Sequence, residues 1–333
     1  MRLTRTSAVL AVVGVLLIVA SAVVRFVVVP SVTNLPTDLD VTLEFEGTYN
    51  GINPAVLSGG ATEVLAEDVP IVAVRNVSSQ EVDGDTEIVR RADERTVGDG
   101  EPALTEVFFA VDRESAEAGP APDGADDVTD AEGLVFTLPV DPSTADGAYE
   151  YWDQNTLQSA PVTFEGEETF GGRDVYRYES LSEGELANPA ALNLPTSLPK
   201  DTLAALPAVL PSLPAEIPIA WTSRTTTKVD ADQELGATIA GGSTQVITGS
   251  LDLGVTTVDV PFATIDIYSS DDSIDTRGDQ VGDDSRLLNL VGTVLPIVLL
   301  VLGVLLLVAA LLLARRAAAR TAVSTDGGTH STV

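Results

Sequence analysis

The sequence has no cysteine, one histidine (His330, at the end of the chain) and two lysines, Lys200 and Lys228, beside 16 arginines. Without cysteine there is no disulfide framework, no thiolate nucleophile and no thiolate-held zinc or iron-sulfur centre. A lone terminal histidine removes Ser-His-Asp catalysis and histidine metal clusters from the body of the protein. Basic residues number 18 against 50 acidic ones, a net charge of −32. This speaks against nucleic acid as a partner, because a duplex binder needs a basic face to displace counterions from phosphates.

Motifs for chemistry are equally scarce. No G-x-x-x-x-G-K-[ST] phosphate loop and no G-x-G-x-x-G opening a helix occurs. Ser197-Leu198-Pro199-Lys200 has the S-x-x-K spacing of acyl-enzyme hydrolases, but Pro199 disfavours helical geometry at Leu198 and no Ser-Asp-Asn or Lys-Thr-Gly element completes the site. Carboxylate pairs of the glycosidase kind arise by chance among so many acids. The expectation is a protein that is not an enzyme and uses no cofactor.

What the chain does have is two long apolar runs. Residues 7–29 carry Arg25 as their one charge, and 287–314 carry none. Each is long enough to cross the roughly 30 Å core of a bilayer, and Pro296 inside the second is tolerable where a neighbouring helix compensates. Arg2 and Arg5 precede the first run, and Arg315, Arg316 and Arg320 follow the second. The positive-inside rule then makes residues 1–6 and the tail 315–333 cytoplasmic. Residues 30–286 hold 12 basic and 49 acidic residues, a balance of −37, and are expected outside the cell membrane. A cleaved signal peptide is the alternative for the first run, since Ala20-Ser21-Ala22 suits a signal peptidase; the apolar stretch continues to Val29, which a signal peptide does not require.

Acid in excess with almost no lysine is the composition of a halophilic surface. At molar salt the Debye length falls to about 3 Å and the self-repulsion is screened. Local acidic clusters are discounted accordingly: Asp126-Asp127, Asp271-Asp272-x-x-Asp275 and Asp283-Asp284 lack the alternating ligands, turn glycine and distal Glu of a calcium loop.

Between the spans, short alternating runs read as strands: 41–49, 71–77, 86–95, 104–112, 175–179, 220–229 and 244–251. The fold class is mainly β and antiparallel. Asp83-Gly84-Asp85, Asp99-Gly100 and Gly241-Gly242 read as tight turns, and 114–132 as an exposed acidic loop. Residues 188–218 hold seven of the 19 prolines, a density strands do not tolerate. Two readings of this insertion stay open. It is either a proline-stiffened excursion with a short helix at 201–206 that packs its leucines on the sheet, or an apolar flap over a hydrophobic pocket, with Leu203, Leu206 and Leu210 as its candidate residues. Asn76-Val77-Ser78 is a glycosylation sequon, equally readable as a chance one.

Gly133-Leu134-Val135-Phe136, Tyr149-x-Tyr151-Trp152-Asp153, Phe164-Glu165-Gly166-Glu167-Glu168 and Val175-Tyr176-Arg177-Tyr178-Glu179, with Leu288-Asn289-Leu290-x-Gly292-Thr293-x-Leu295-Pro296 in the second span, resemble the PorA-like family of two-span membrane proteins, named as porins and known mainly from actinobacterial envelopes. The acidic, lysine-poor composition points to a haloarchaeal-type member. The family name implies no catalytic residues. A weaker resemblance, carried by Phe164-Glu165-Gly166, Gly172, Val175-Tyr176, Val229-Asp230 and Gly236, is to LolA-like lipoprotein carriers, which curl an antiparallel sheet around a lipid-binding hollow; Lys228 stands where that family has Trp. It implies a curled sheet, single or duplicated, that binds a lipid or other hydrophobic ligand. The rival expectations are an assembly module that contacts other envelope proteins and an oligomeric channel.

Overall fold

Alternation of apolar and polar residues builds the part of the chain between the two apolar runs. The computed structural model describes residues 5–29, 33–52, 65–122, 124–125, 127–189, 194–199, 215–253 and 256–325, with side chains up to 316. Two compact units form: one from Leu35–Gly282, the other from the residues before 35 together with those from Asp283 onward.

The first unit is one sheet of 14 strands. In chain order they are β1 (Asp40–Ile52), β2 (Leu65–Asp83), β3 (Thr86–Val97), β4 (Ala103–Asp112), β5 (Glu117–Gly119), β6 (Val128–Thr129), β7 (Gly133–Leu134), β8 (Glu150–Asp153), β9 (Gln158–Phe170), β10 (Arg173–Glu185), β11 (Ser197–Pro199), β12 (Glu216–Asp232), β13 (Thr238–Asp252) and β14 (Thr257–Ser269). The mainly β expectation holds, with one refinement: β4 with β6 and β7 with β8 pair in parallel, while the other pairings are antiparallel. The hydrogen-bonded path runs β10-β9-β8-β7-β5-β4-β3-β2-β1-β14-β13-β12, and β12 pairs with β10. The sheet therefore closes on itself and has an inside.

Strand periodicity decides which side chains go there. Leu43, Phe45 and Tyr49 of β1, Ile71, Ala73 and Val77 of β2, and Val89 of β3 are buried. The alternate positions Glu44, Glu46, Val72 and Glu94 face out and are exposed. Tyr49, Ile71, Ile217, Trp221, Ile247 and Phe262 anchor one buried apolar cluster. Val77, Val89, Phe109, Val135 and Trp152 anchor another, beside a third around Leu134, Tyr151, Tyr178 and Val229.

Three expectations are corrected. Gly241 and Gly242 are not a turn: they lie inside β13, because a Cβ on Gly241 would meet the Lys228 carbonyl oxygen at 2.6 Å and one on Gly242 would strike the Ile267 carbonyl. Glycine here permits close approach of neighbouring strands. The loop at 114–132 contains β5 and β6. The proline-rich insertion contributes strand at both ends: Ser197 pairs with Pro218 and Pro199 with Glu216, while Leu194 is buried in the cluster around Trp221. The helix expected at 201–206 lies outside the described residues. Gly84 (φ 62°) does make the β2–β3 hairpin turn.

Helix α2 (Asp271–Asn289) begins directly after β14. Ser270 caps it, its Oγ accepting the Ser273 N–H at 3.2 Å, and Asp271 and Asp272 sit in the first turn, where the helix dipole favours anions. Ile274 and Val281 pack on Val175, Ile239 and Ala240. Gly278 rests directly on Gly171 of the β9–β10 turn.

In the second unit, α1 (Arg5–Val23) and α3 (Leu295–Thr325) each adjoin a π-helical turn, at Val24–Val28 and Leu290–Val294 respectively. The helices containing these segments, Arg5–Val28 and Asp271–Arg316, are long and apolar enough to cross a membrane, with mean hydropathies of 2.8 and 3.4 in their most apolar stretches. A Cβ on Gly14 would meet the Gly303 carbonyl oxygen at 2.8 Å, and the Ser21 Oγ donates to the Pro296 carbonyl oxygen at 2.7 Å. Rising numbers on α1 thus meet falling numbers on α3, so the pair is antiparallel. Small residues let the backbones approach, and the serine supplies an interhelical hydrogen bond, as in membrane helix pairs.

Candidate functional site

A closed sheet places half of each strand's side chains inside, and some of these are polar. On β3, Arg91, Asp93 and Arg95 alternate onto the inner face. Arg75 of β2 stands opposite Asp93, and Val77 opposite Arg91. The Arg75 Nε donates to Asp93 Oδ1 at 2.5 Å and the Arg91 Nε to Asp93 Oδ2 at 2.7 Å. Each guanidinium thus commits one edge to the carboxylate. Arg95 makes no hydrogen bond or ion pair with the described residues; its electrostatic neighbours are Asp93 and Arg75. The Arg75, Arg91 and Asp93 side chains retain 22%, 12% and 25% of their exposure, so water reaches a cluster set among strands. The Arg75 guanidinium also lies over the Phe45 ring, 5.2 Å from its centroid.

Electrostatics follow the geometry. Burial alone would raise the Asp93 carboxyl, but Arg91 and Arg75 overcome it and hold the group well below the ordinary carboxylate range. Burial pulls Arg95 downward, helped by Arg75 and opposed by Asp93. For Arg75, burial acts downward and is exceeded by Asp93 and the nearby Tyr151. Three cations share one anion here, within a chain whose overall charge is −32.

Tyr151 links this cluster to the opposite wall. With Leu134, Leu138, Val162, Tyr178, Ser180, Thr227 and Val229 it lines a void of about 10 Å³, room for about one water. Adjacent to Ser180 and Thr227 along β10 and β12 runs a chain of hydrogen-bonded polar side chains. The Gln245 Nε2 donates to Ser223 Oγ (3.0 Å), Ser223 and Thr225 hydroxyls are 3.4 Å apart, and the Asn155 Nδ2 reaches Thr225 Oγ1 (3.4 Å) and Asp153 Oδ1 (3.0 Å). The Thr156 Oγ1 donates to Asp153 Oδ2 at 2.9 Å and lies 2.9 Å from the Ser182 Oγ. Satisfied networks of this kind hold their members in fixed positions.

Other buried charges are already used by the fold. Asp230 accepts from Arg177 Nε (3.0 Å) and the Tyr268 hydroxyl (2.5 Å), and Asp232 from Arg173 (2.8 Å). Glu87 differs: its side chain is fully buried, neither oxygen has a hydrogen-bond partner, and its nearest charge is the Arg113 Nε at 3.5 Å. Among the described residues, no group of three or more acidic side chains is arranged to hold a metal ion.

The flap residues Leu203, Leu206 and Leu210 lie outside the described residues. Asn76 sits on the outward face of β2, its amide donating to Asp40 Oδ1 at 2.8 Å and accepting from Arg90 at 3.5 Å. The arginine cluster escaped the sequence reading, although its signal was present: with the β2–β3 turn at Gly84, counting back along both strands brings Arg75 opposite Asp93.

No curated protein matches the chain. The family model described as Porin PorA matches residues 6–312, through both apolar helices and the whole sheet, and the chain belongs to this family of membrane proteins.

Proposed function

We propose that this PorA-family protein is anchored by its two helices with both termini cytoplasmic, and that its exterior sheet binds an amphiphilic envelope ligand, not a substrate to be turned over. The observation that carries this reading is an interior with water-reached guanidinium groups beside an apolar-lined void. The void itself, about 10 Å³, has room for about one water, so the reading places the ligand's polar group against the guanidinium groups and its acyl chain outside the void. The test is native mass spectrometry of the full-length protein in detergent, before and after organic extraction. A reproducible extractable amphiphile is expected; no extractable mass, together with no binding of a fluorescent fatty-acid probe, would overturn the reading.

The family name favours a second reading, an oligomeric channel. A pore through the sheet itself is disfavoured, because among the described residues the outward positions include Glu44, Glu46, Arg90, Glu106, Glu168, Arg224 and Asp266, which form no lipid-facing apolar band. A channel would have to assemble from the helices of several chains. Stepwise conductance in planar bilayers at low protein concentration would establish it.

A further inference from the structure

We propose that Arg75, Arg91 and Arg95 form an oxyanion-binding site for a phosphate group inside the closed sheet. The inference rests on the ligand-binding reading above and names the chemistry of the group that is bound.

Stoichiometry of charge comes first. Three guanidinium groups face one carboxylate, an excess of two positive charges, which matches a phosphate monoester of about −1.5 to −2 better than a single carboxylate. Geometry comes second. Asp93 takes only the Nε edge of Arg75 and of Arg91, leaving their terminal nitrogens for a tetrahedral anion. Guanidinium forks suit phosphate because they donate parallel hydrogen bonds. The third point is Arg95. A half-buried guanidinium with no hydrogen-bond or ion-pair partner among the described residues, two residues along from Asp93 on the same face, leaves donors that a further anion would engage. By contrast, outward-facing Arg90 is paired with Glu106, the ordinary arrangement on so acidic a surface.

Position supplies the selectivity. Forty-nine acidic residues lie between the two apolar runs and repel anions from the surface at low salt, whereas at molar salt the Debye length of about 3 Å removes that barrier outside. The interior cluster is screened less. A site sunk in the sheet therefore discriminates for phosphate under conditions in which surface arginines do not.

The experiment is calorimetric titration of the full-length protein in non-ionic detergent at 0.15 M and 2 M KCl. Three probes are used: inorganic phosphate, dihexanoyl phosphatidic acid and neutral dihexanoylglycerol, each against the natural sequence, Arg95→Gln and Arg90→Gln. Arg95→Gln removes an unpartnered group and should melt no lower than the natural protein. Binding of phosphate or phosphatidate that weakens at least tenfold in Arg95→Gln and is unchanged in Arg90→Gln supports the site. Inorganic phosphate sufficing alone identifies a free oxyanion as the ligand, and binding of phosphatidate only identifies a lipid headgroup. Dihexanoylglycerol binding as tightly as phosphatidate, with both indifferent to Arg95→Gln, overturns the arginine site while the amphiphile reading survives. Binding of none of the three overturns both.

Discussion

Glu87 and Asp93 lie six residues apart on the inner face of β3 and titrate in opposite directions. Burial raises the Glu87 carboxyl above its ordinary 4.5, and the nearby Ser79 side chain and Arg113 offset only part of this. The folded state therefore holds the Glu87 proton to higher pH than the unfolded chain does. Its effect on stability is most favourable below 4.5 and is lost as pH rises through the folded value. Glu87→Gln should accordingly be more stable at pH 7, by about 1–3 kcal/mol, and its denaturant midpoint should lose that slope with pH. Asp93 runs the other way. Its lowered value contributes stability above its ordinary 3.8 that disappears as pH falls through the folded value. Asp93→Asn leaves Arg75 and Arg91 repelling one another without their shared acceptor and should cost about 3 kcal/mol at neutral pH, measured in the same titration.

At the scale of elements, close backbone approach is the recurrent device. Gly303→Leu would drive a side chain into Ile18 Cγ1, already 2.7 Å from where a Cβ would stand, and into the Gly14 carbonyl oxygen at 2.8 Å. Separation of α1 and α3 is expected, with about 1–3 kcal/mol lost from overpacking. Disulfide cross-linking between cysteines placed at Ser21 and Pro296 would fall sharply in that variant. The sequence disclosed β1, β3 and β4 to within three residues at each end, since each alternates between an apolar and a polar face. It hid β14 because Pro261 reads as a strand breaker; the proline is accommodated where the β13–β14 register shifts between Ile247 and Thr248. Helix α2 was hidden for another reason. Its first four turns offer Ile274 and Val281 as their only large apolar contacts, with Gly278 and Gly282 between six aspartates, so no helical period stands out. The candidate site was concealed similarly, as hydrophobicity drew notice to the Leu-Pro segment while the arginines are united only by strand register.

For the whole molecule, charge and closure set the conditions of stability. With −37 on residues 30–286, repulsion at low ionic strength opposes the compact state. The thermal midpoint of the full-length protein should rise substantially between 0.15 and 2 M KCl, whereas a midpoint indifferent to salt would show that the acidic surface plays no such part. Antiparallel packing of α1 and α3 places the two ends of the chain on one side of any membrane they cross. Protease or label applied to the opposite face should leave both termini untouched.

Salt that quiets this repulsion also removes the usual guard against neighbours sticking together. Proteins of ordinary composition keep exposed strand edges apart with like charges, a defence that fails where ions screen within a few ångströms. Here the long strands are paired on both sides because β10 meets β12, and β11, at the end of the path, is three residues long and finishes in Pro199. Closure thus gives the protein a protection from edge-to-edge association that does not depend on charge: among the described residues little strand edge is left on which a second copy could begin a fibre.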